Sequence, residues 1–215
     1  MRAWLLLLLL AAGAPAAERQ LLDEVVAVVD AHSITLSELS AETRIRMVEQ
    51  QGWQVGSGGL DRRLLAASLR RLVEERVVLS EVERLKLFDL DRAEVESAQA
   101  RFRARFPTPD TYEAFAARLE MTDEEIAAIL AREIRVARYL DNRLKLAAQL
   151  REGEVDDAAR AQPQLDRAAL RQRLAREKYD RLLAELLVEL RRKASVRVLD
   201  ALAPAAEGGG VAEAR

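Results

Sequence analysis

From Val25 to Val29 the chain is apolar at every position, VVAVV. That is the pattern of a strand covered on both faces. After Asp30-Ala31-His32, which reads as a turn, Ser33-Ile34-Thr35-Leu36 alternates and sets Ile34 and Leu36 on one face. Residues 24–36 therefore predict a hairpin. The hydrophobic period then changes to three and four. Thr35 followed by Glu38 has capping-box spacing, so a helix is expected from about Leu36 to Gln51. Gly52 to Gly59, GWQVGSGG, reads as a flexible loop carrying Trp53.

Leu60 to Leu87 is a long helical pattern, with Leu65, Leu69, Leu72, Val73, Leu79 and Val82 on its stripe. Asp91 with Glu94 opens a helix ending near Phe106, and a short one follows from Pro109 to Leu119. Thr122, with Glu125 at the box position, caps a helix expected to run to Leu150. Gly153 to Gln164 reads as a linker. Leu165 to Lys193 is the last helix, striped by Leu170, Leu174, Leu182, Leu183, Leu186, Leu187 and Leu190. SVRVL, Ser195 to Leu199, follows as a strand with Val196 and Val198 facing in and Arg197 facing out.

A two-stranded hairpin is marginal in water alone, and the distant SVRVL supplies a third strand. The two chain ends are thus expected to meet, with the helices between them forming one closed excursion. Two of the helical patterns span roughly 42 Å, longer than the ~30 Å of a small domain. The expected fold class is mainly α: an elongated multi-helix unit with arms, a concave side and a small antiparallel sheet made of the N-terminal hairpin and the C-terminal strand.

Composition narrows the chemistry. Apolar residues make up 50% and charged residues 33% of 215, with formal net charge −2. No sequence-wide field attracts nucleic acid at that balance. The absence of Cys excludes disulfides, thiol catalysis and thiolate metal sites, and the single His32 excludes a multi-His metal site. No Gly-rich phosphate loop follows a strand. Neither a catalytic group, a metal site nor a cofactor is expected. The opening MRAWLLLLLLAAGAPAAERQ has one basic residue, Arg2, ahead of a short apolar run, and then Ala14-Pro15-Ala16. It reads as a cleavable leader over 1–16, with an uncleaved membrane anchor as the alternative. The folded unit is then 17–200, and 201–215 is too poor in apolar residues to fold. Once the leader is cut, no stable membrane insertion is expected.

Within this frame a resemblance stands out. DEVVAVVDAHSITLSEL looks like the opening hairpin of the SurA family of periplasmic chaperones. LRRLVEERVVLSEVERLKL, TYEAFAARLEMTDEEIAAILAREIRVARYLDNRL and the closing ELRRKASVRVL are similar to that family's helices and returning strand, in the same order over about residues 20–200. SurA relatives usually carry parvulin prolyl-isomerase domains between the long capped helix and the last one. Here that interval is Arg151 to Asp166, with no room for such a domain. The resemblance implies the chaperone core without the isomerase: an ATP-independent, non-enzymatic periplasmic protein. Its partners would be unfolded or partly folded exported proteins, including outer-membrane β-barrel precursors. A non-enzymatic envelope adaptor, binding one folded partner or itself, is the alternative. A homodimer with exchanged terminal strands is also left open.

Phe88, Phe102, Phe106, Tyr112 and Phe115 lie within 28 residues. They fit either the core of a helical lobe or the lining of a client groove. Phe102 and Phe106 belong to RFRARF, whose i, i+4 spacing puts both rings on one helical face. Met47 and Trp53 fit an exposed, adaptable apolar contact. The candidate client-binding set is therefore Met47, Trp53, Phe102, Phe106, Tyr112 and Phe115. EGEVDD, Glu152 to Asp157, lacks the spacing of a calcium loop and reads as a solvated linker.

Overall fold

A computed structural model of the protein describes residues 23–199. The leader expected at 1–16 and the tail expected at 201–215 lie outside the described residues. The described chain runs β1 (Val25–Val29), β2 (His32–Thr35), α1 (Leu36–Gln51), α2 (Trp53–Gly56), α3 (Arg62–Arg84), α4 (Arg92–Arg103), α5 (Pro109–Arg118), α6 (Asp123–Leu144), α7 (Glu152–Ala161), α8 (Arg167–Lys193) and β3 (Val196–Val198). The fold is mainly α with one small antiparallel sheet of order β2-β1-β3.

The all-apolar strand is the central one, and both ends of the described chain meet on it. Val28 pairs with Arg197, Asp30 N donates to Ser195 O at 2.8 Å, and Leu199 N donates to Val26 O at 2.9 Å. Asp30 fastens this clasp. It takes φ 52° in a two-residue turn, one residue shorter than expected because His32 already pairs with Val29. Asp tolerates that left-handed conformation. Its carboxylate accepts from Ser80 Oγ of α3, and from Ser195 N at 2.7 Å. Those two bonds hold its pKa below the usual carboxylate range. One expectation fails here: Val196 packs on the core, but Val198 is 52% exposed. β3 is a short edge strand and its far end overhangs the core it was expected to cover.

Two apolar cores share the helices. The first gathers β1, Ile34, Leu39, the α3 stripe, Val136, Tyr139 and Leu144 of α6, and Leu186 and Leu190 of α8. The second gathers Ile45 and Val48 of α1, Phe102, Phe106, Tyr112, Phe115, and Ile126, Ile129 and Leu130 of α6. Helices α1 and α6 therefore pass from one core to the other. At about 1.5 Å per residue α6 is ~33 Å long, enough to serve both.

Helix ends obey local chemistry. Asp91 and Thr122 form capping boxes with Glu94 and Glu125, and Thr35 accepts from Glu38 N. α3 stops at Arg84, short of Leu87, because Lys86 turns left-handed (φ 50°) and Leu87 N donates to Val82 O at 3.0 Å. Glu120 (φ 54°) and the Met121 N to Ala116 O bond end α5 in the same way. Both are Schellman stops built without Gly, which sequence signals miss. α6 stops at Leu144 rather than Leu150: Leu144 is its last buried anchor, and Leu146 is 77% exposed.

Two expected loops are ordered helix. The Gly153–Gln164 linker is largely α7, which packs along α8 and buries Val155 completely. Glu152 meets Arg167 and Arg171, and Glu154 meets Lys178. These α8 cations are the partners that a lone EGEVDD segment lacks. The Gly52–Gly59 loop contains α2, held by Arg44 Nη1 on Gly56 O at 3.0 Å and by Arg118 Nη1 on Ser57 O at 2.5 Å. Gly56 is buried, and a Cβ there would lie 2.4 Å from Val48 Cγ2 and 2.8 Å from Arg44 O. Gly56→Ala is therefore expected to destabilise by about 1–3 kcal/mol through forced backbone movement. Urea unfolding of the variant checks it; an unchanged midpoint would show that α2 is not clamped.

Candidate functional site

The aromatic cluster is built by three short elements. RFRARF ends α4, Pro107-Thr108-Pro109 turns the chain, and α5 returns beneath it. Thr108 caps α5 by accepting from Thr111 N, and Pro109 occupies the first turn, where no donor is needed. The rings interlock: Phe102 lies 5.6 Å from Phe106, 6.3 Å from Tyr112 and 6.2 Å from Phe115, mostly edge-on. All four are buried and form part of the second core. Trp53 packs half-buried against this core instead of standing exposed in a loop. Phe88 leaves the cluster altogether and packs against the first core, at φ 60°.

Phe106 and Tyr112 also form part of the floor of an open cleft of about 850 Å³. On α5 its wall is Pro109, Tyr112, Glu113, Ala116 and Ala117, an i, i+3, i+4 stripe in which Pro109, Glu113 and Ala117 are exposed while Tyr112 and Ala116 are buried at its base. Met121 and Pro107 add apolar surface. One rim is rigid. Tyr112 donates its hydroxyl to Asp123, Arg103 Nη2 reaches Asp123 at 2.5 Å, and the Arg103 guanidinium sits 5.2 Å over the Tyr112 ring. Burial, followed by the hydrogen bond to Asp123, raises the Tyr112 pKa, so the phenol stays protonated.

Met47 stands apart from these residues. It lies half-buried in a second cleft, about 210 Å³, between α1 and α3, with Leu39, Leu64, Leu72, Arg46 and Glu75. A third, of about 260 Å³, lies between α3 and α8 around Val77, Leu187 and Val188. The six expected contact residues thus divide: Phe106 and Tyr112 reach one cleft, Met47 another, and Phe102, Phe115 and Trp53 support from within. Pro109, Ala116, Ala117 and Met121 were missed, although their helical spacing with Tyr112 marks one face.

A charged cluster that the sequence reading did not identify lies where α1 and α6 switch cores. Glu42, 4% exposed, accepts at one oxygen from Arg76 and Arg132, each at 2.5 Å. Glu38 reaches Arg76 at 2.7 Å. Beside it Arg46 bridges Glu75 of α3 at 2.5 Å and Glu133 of α6 at 3.0 Å. The signal was present in α1, whose Glu38, Glu42, Arg46 and Glu49 fall on one helical face.

Among the described residues no His, Cys, Asp and Glu side chains gather into a group able to hold a metal ion. No described helix is long and apolar enough to cross a membrane. No known family model matches the chain, and no curated protein matches it.

Proposed function

We propose that the protein is an ATP-independent exported chaperone that holds unfolded polypeptides against shallow apolar clefts. The observation that carries this reading is the α4–α5–α6 cleft. It is open and apolar, it is floored by rings that the core holds rigid, and no other element fills it. Burial of client apolar surface would supply ~25 cal/mol per Å² before entropic losses. Binding is then weak and multi-point, which suits release without an energy source. The resemblance to the SurA family's hairpin and returning strand adds a periplasmic setting and β-barrel precursors as clients. It also argues for a holding function without isomerase activity.

The test is light scattering from an unfolded outer-membrane barrel protein diluted out of urea with an equimolar amount of the chain. Slowed aggregation is expected, as is weaker protection by Ala117→Glu, which sets a carboxylate on the exposed cleft wall. Unaltered scattering with the wild-type chain would reject the reading. A second reading, an envelope adaptor for one folded partner, draws on Val188, 58% exposed at the α3–α8 cleft. Capture of one stoichiometric partner, with no crosslinking to unfolded chains, would favour it.

A further inference from the structure

One pair of helical segments stands outside both cores. Val155 of α7 and Leu170 of α8 are 0% and 1% exposed, yet they belong to neither the first core nor the second. α8 joins the first core only from Tyr179 onward. Its stretch from Arg167 to Lys178, ~18 Å long, has Leu170 as its only buried side chain. Val155 is the only one in α7, and α8 is the helix against which α7 packs.

The rest of the contact is charge. Arg167 reaches Glu152 at 3.3 Å and Asp156 at 2.6 Å, Arg171 reaches Glu152 at 2.7 Å, and Lys178 reaches Glu154 at 3.1 Å. Lys178 is shielded, at 18% exposed; the other side chains are 43% to 65% exposed. Pairs this open to water are weak and are screened by salt. α7 has 10 residues with Gly153 in its first turn, too little to stay helical away from α8. Its detachment and its unwinding are therefore one event, which disturbs neither core.

We propose that α7 is a strap that detaches from α8 while both cores stay folded, and that its release opens a second client-contact face. That face presents Leu170 and Leu174, one turn apart, flanked by Arg167, Arg171 and Lys178. It suits polypeptide segments that carry carboxylates beside their apolar side chains, the chemistry with which α7 itself occupies it. The use of this face for clients rests on the function proposed above; the detachment of α7 does not.

Hydrogen exchange of the full chain tests the strap. Amides of α7 are expected to exchange faster than those of α3 and α6, and to speed up about 3- to 10-fold between low salt and about 1 M NaCl while α3 and α6 hold steady. Glu152→Arg should speed α7 exchange at low salt, and adding Arg171→Glu should restore most of the protection. A Cβ at Gly153 would meet nothing within 4 Å, so Gly153→Ala should slow α7 exchange by about 2- to 4-fold. Exchange of α7 at the rate of α3, or exchange indifferent to salt and to the charge swap, would overturn the strap. Fluorescence anisotropy tests the face, with a labelled peptide of residues 151–162 and a counterpart whose Glu and Asp are replaced by Lys. The acidic peptide should bind the Glu152→Arg chain, and bind the wild-type chain at least about tenfold more weakly because α7 covers the face. Equal binding of both peptides, or binding of neither, would overturn the face. A strap and face that behave as expected in a chain that leaves barrel-protein aggregation unaltered would uphold this inference and reject the chaperone reading.

Discussion

Replacing Glu42 with Ala is expected to lower folding stability by about 3–5 kcal/mol, a large part of what a domain possesses. Glu42 is 4% exposed, and the guanidinium it holds at Arg76 is 7% exposed. Burial by itself lowers the Arg76 pKa; Glu42, and next Glu38, outweigh it and hold the pKa above its usual value. Without Glu42, Arg76 would retain only the partly exposed Glu38, and Arg132 would be left 3.8 Å from that same carboxylate. Urea denaturation followed by circular dichroism measures the loss. Glu38→Ala should cost much less, because water already reaches Glu38. Replacing the triad together, as Glu42→Leu with Arg76→Met and Arg132→Met, should recover most of the stability, since no charge is then left buried alone. If Glu42→Ala unfolds at the wild-type midpoint, the seam between the cores does not depend on this cluster.

Phe102→Ala is expected to cost about 3–5 kcal/mol, the transfer of a ring plus the cavity it leaves. Phe102 is 2% exposed and lies within 5.6–6.3 Å of three other rings. Phe102→Leu, which keeps most of the volume, should cost less than about 1.5 kcal/mol. The variant also tests how the cores are coupled. Trp53 packs on the aromatic core, so with Trp4→Phe in the background its emission reports that core alone. In the parent chain, emission and circular dichroism should unfold together, because α1 and α6 belong to both cores. In Phe102→Ala the emission change should come first. Coincident transitions in the variant would mean that the two cores behave as one.

Much of the fold was legible along the chain. The VVAVV run marked the central strand before any partner was known, and its need for cover called for the returning SVRVL. Thr35, Asp91 and Thr122 marked helix starts to within a residue. The two Schellman stops were illegible, because Lys86 and Glu120 occupy positions usually given to Gly. Of the candidate site, the ring cluster was legible as a cluster. Which rings reach the surface was not, since an i, i+4 pair looks the same in a core and in a groove. The exposure of the α5 face along the cleft and the depth of Glu42 depend on what packs opposite them.

What the sequence determined by itself was every described element except α2 and α7, and the meeting of β1 with β3. Strand alternation, helical period and N-caps are relations between residues a few positions apart, and the backbone obeys them wherever the segment lies. Only the tertiary structure decided that α7 is a helix, for its Val155 and Glu154 gain their cover and charge partner from α8. It alone split the apolar stripes between two cores. The same structure joined Glu42 to Arg76 and Arg132 across 34 and 90 residues of chain. The physical reason is common to all three. Burial, and with it the strength of a charge pair, is set by atoms that arrive from distant parts of the chain, and no local pattern records their arrival.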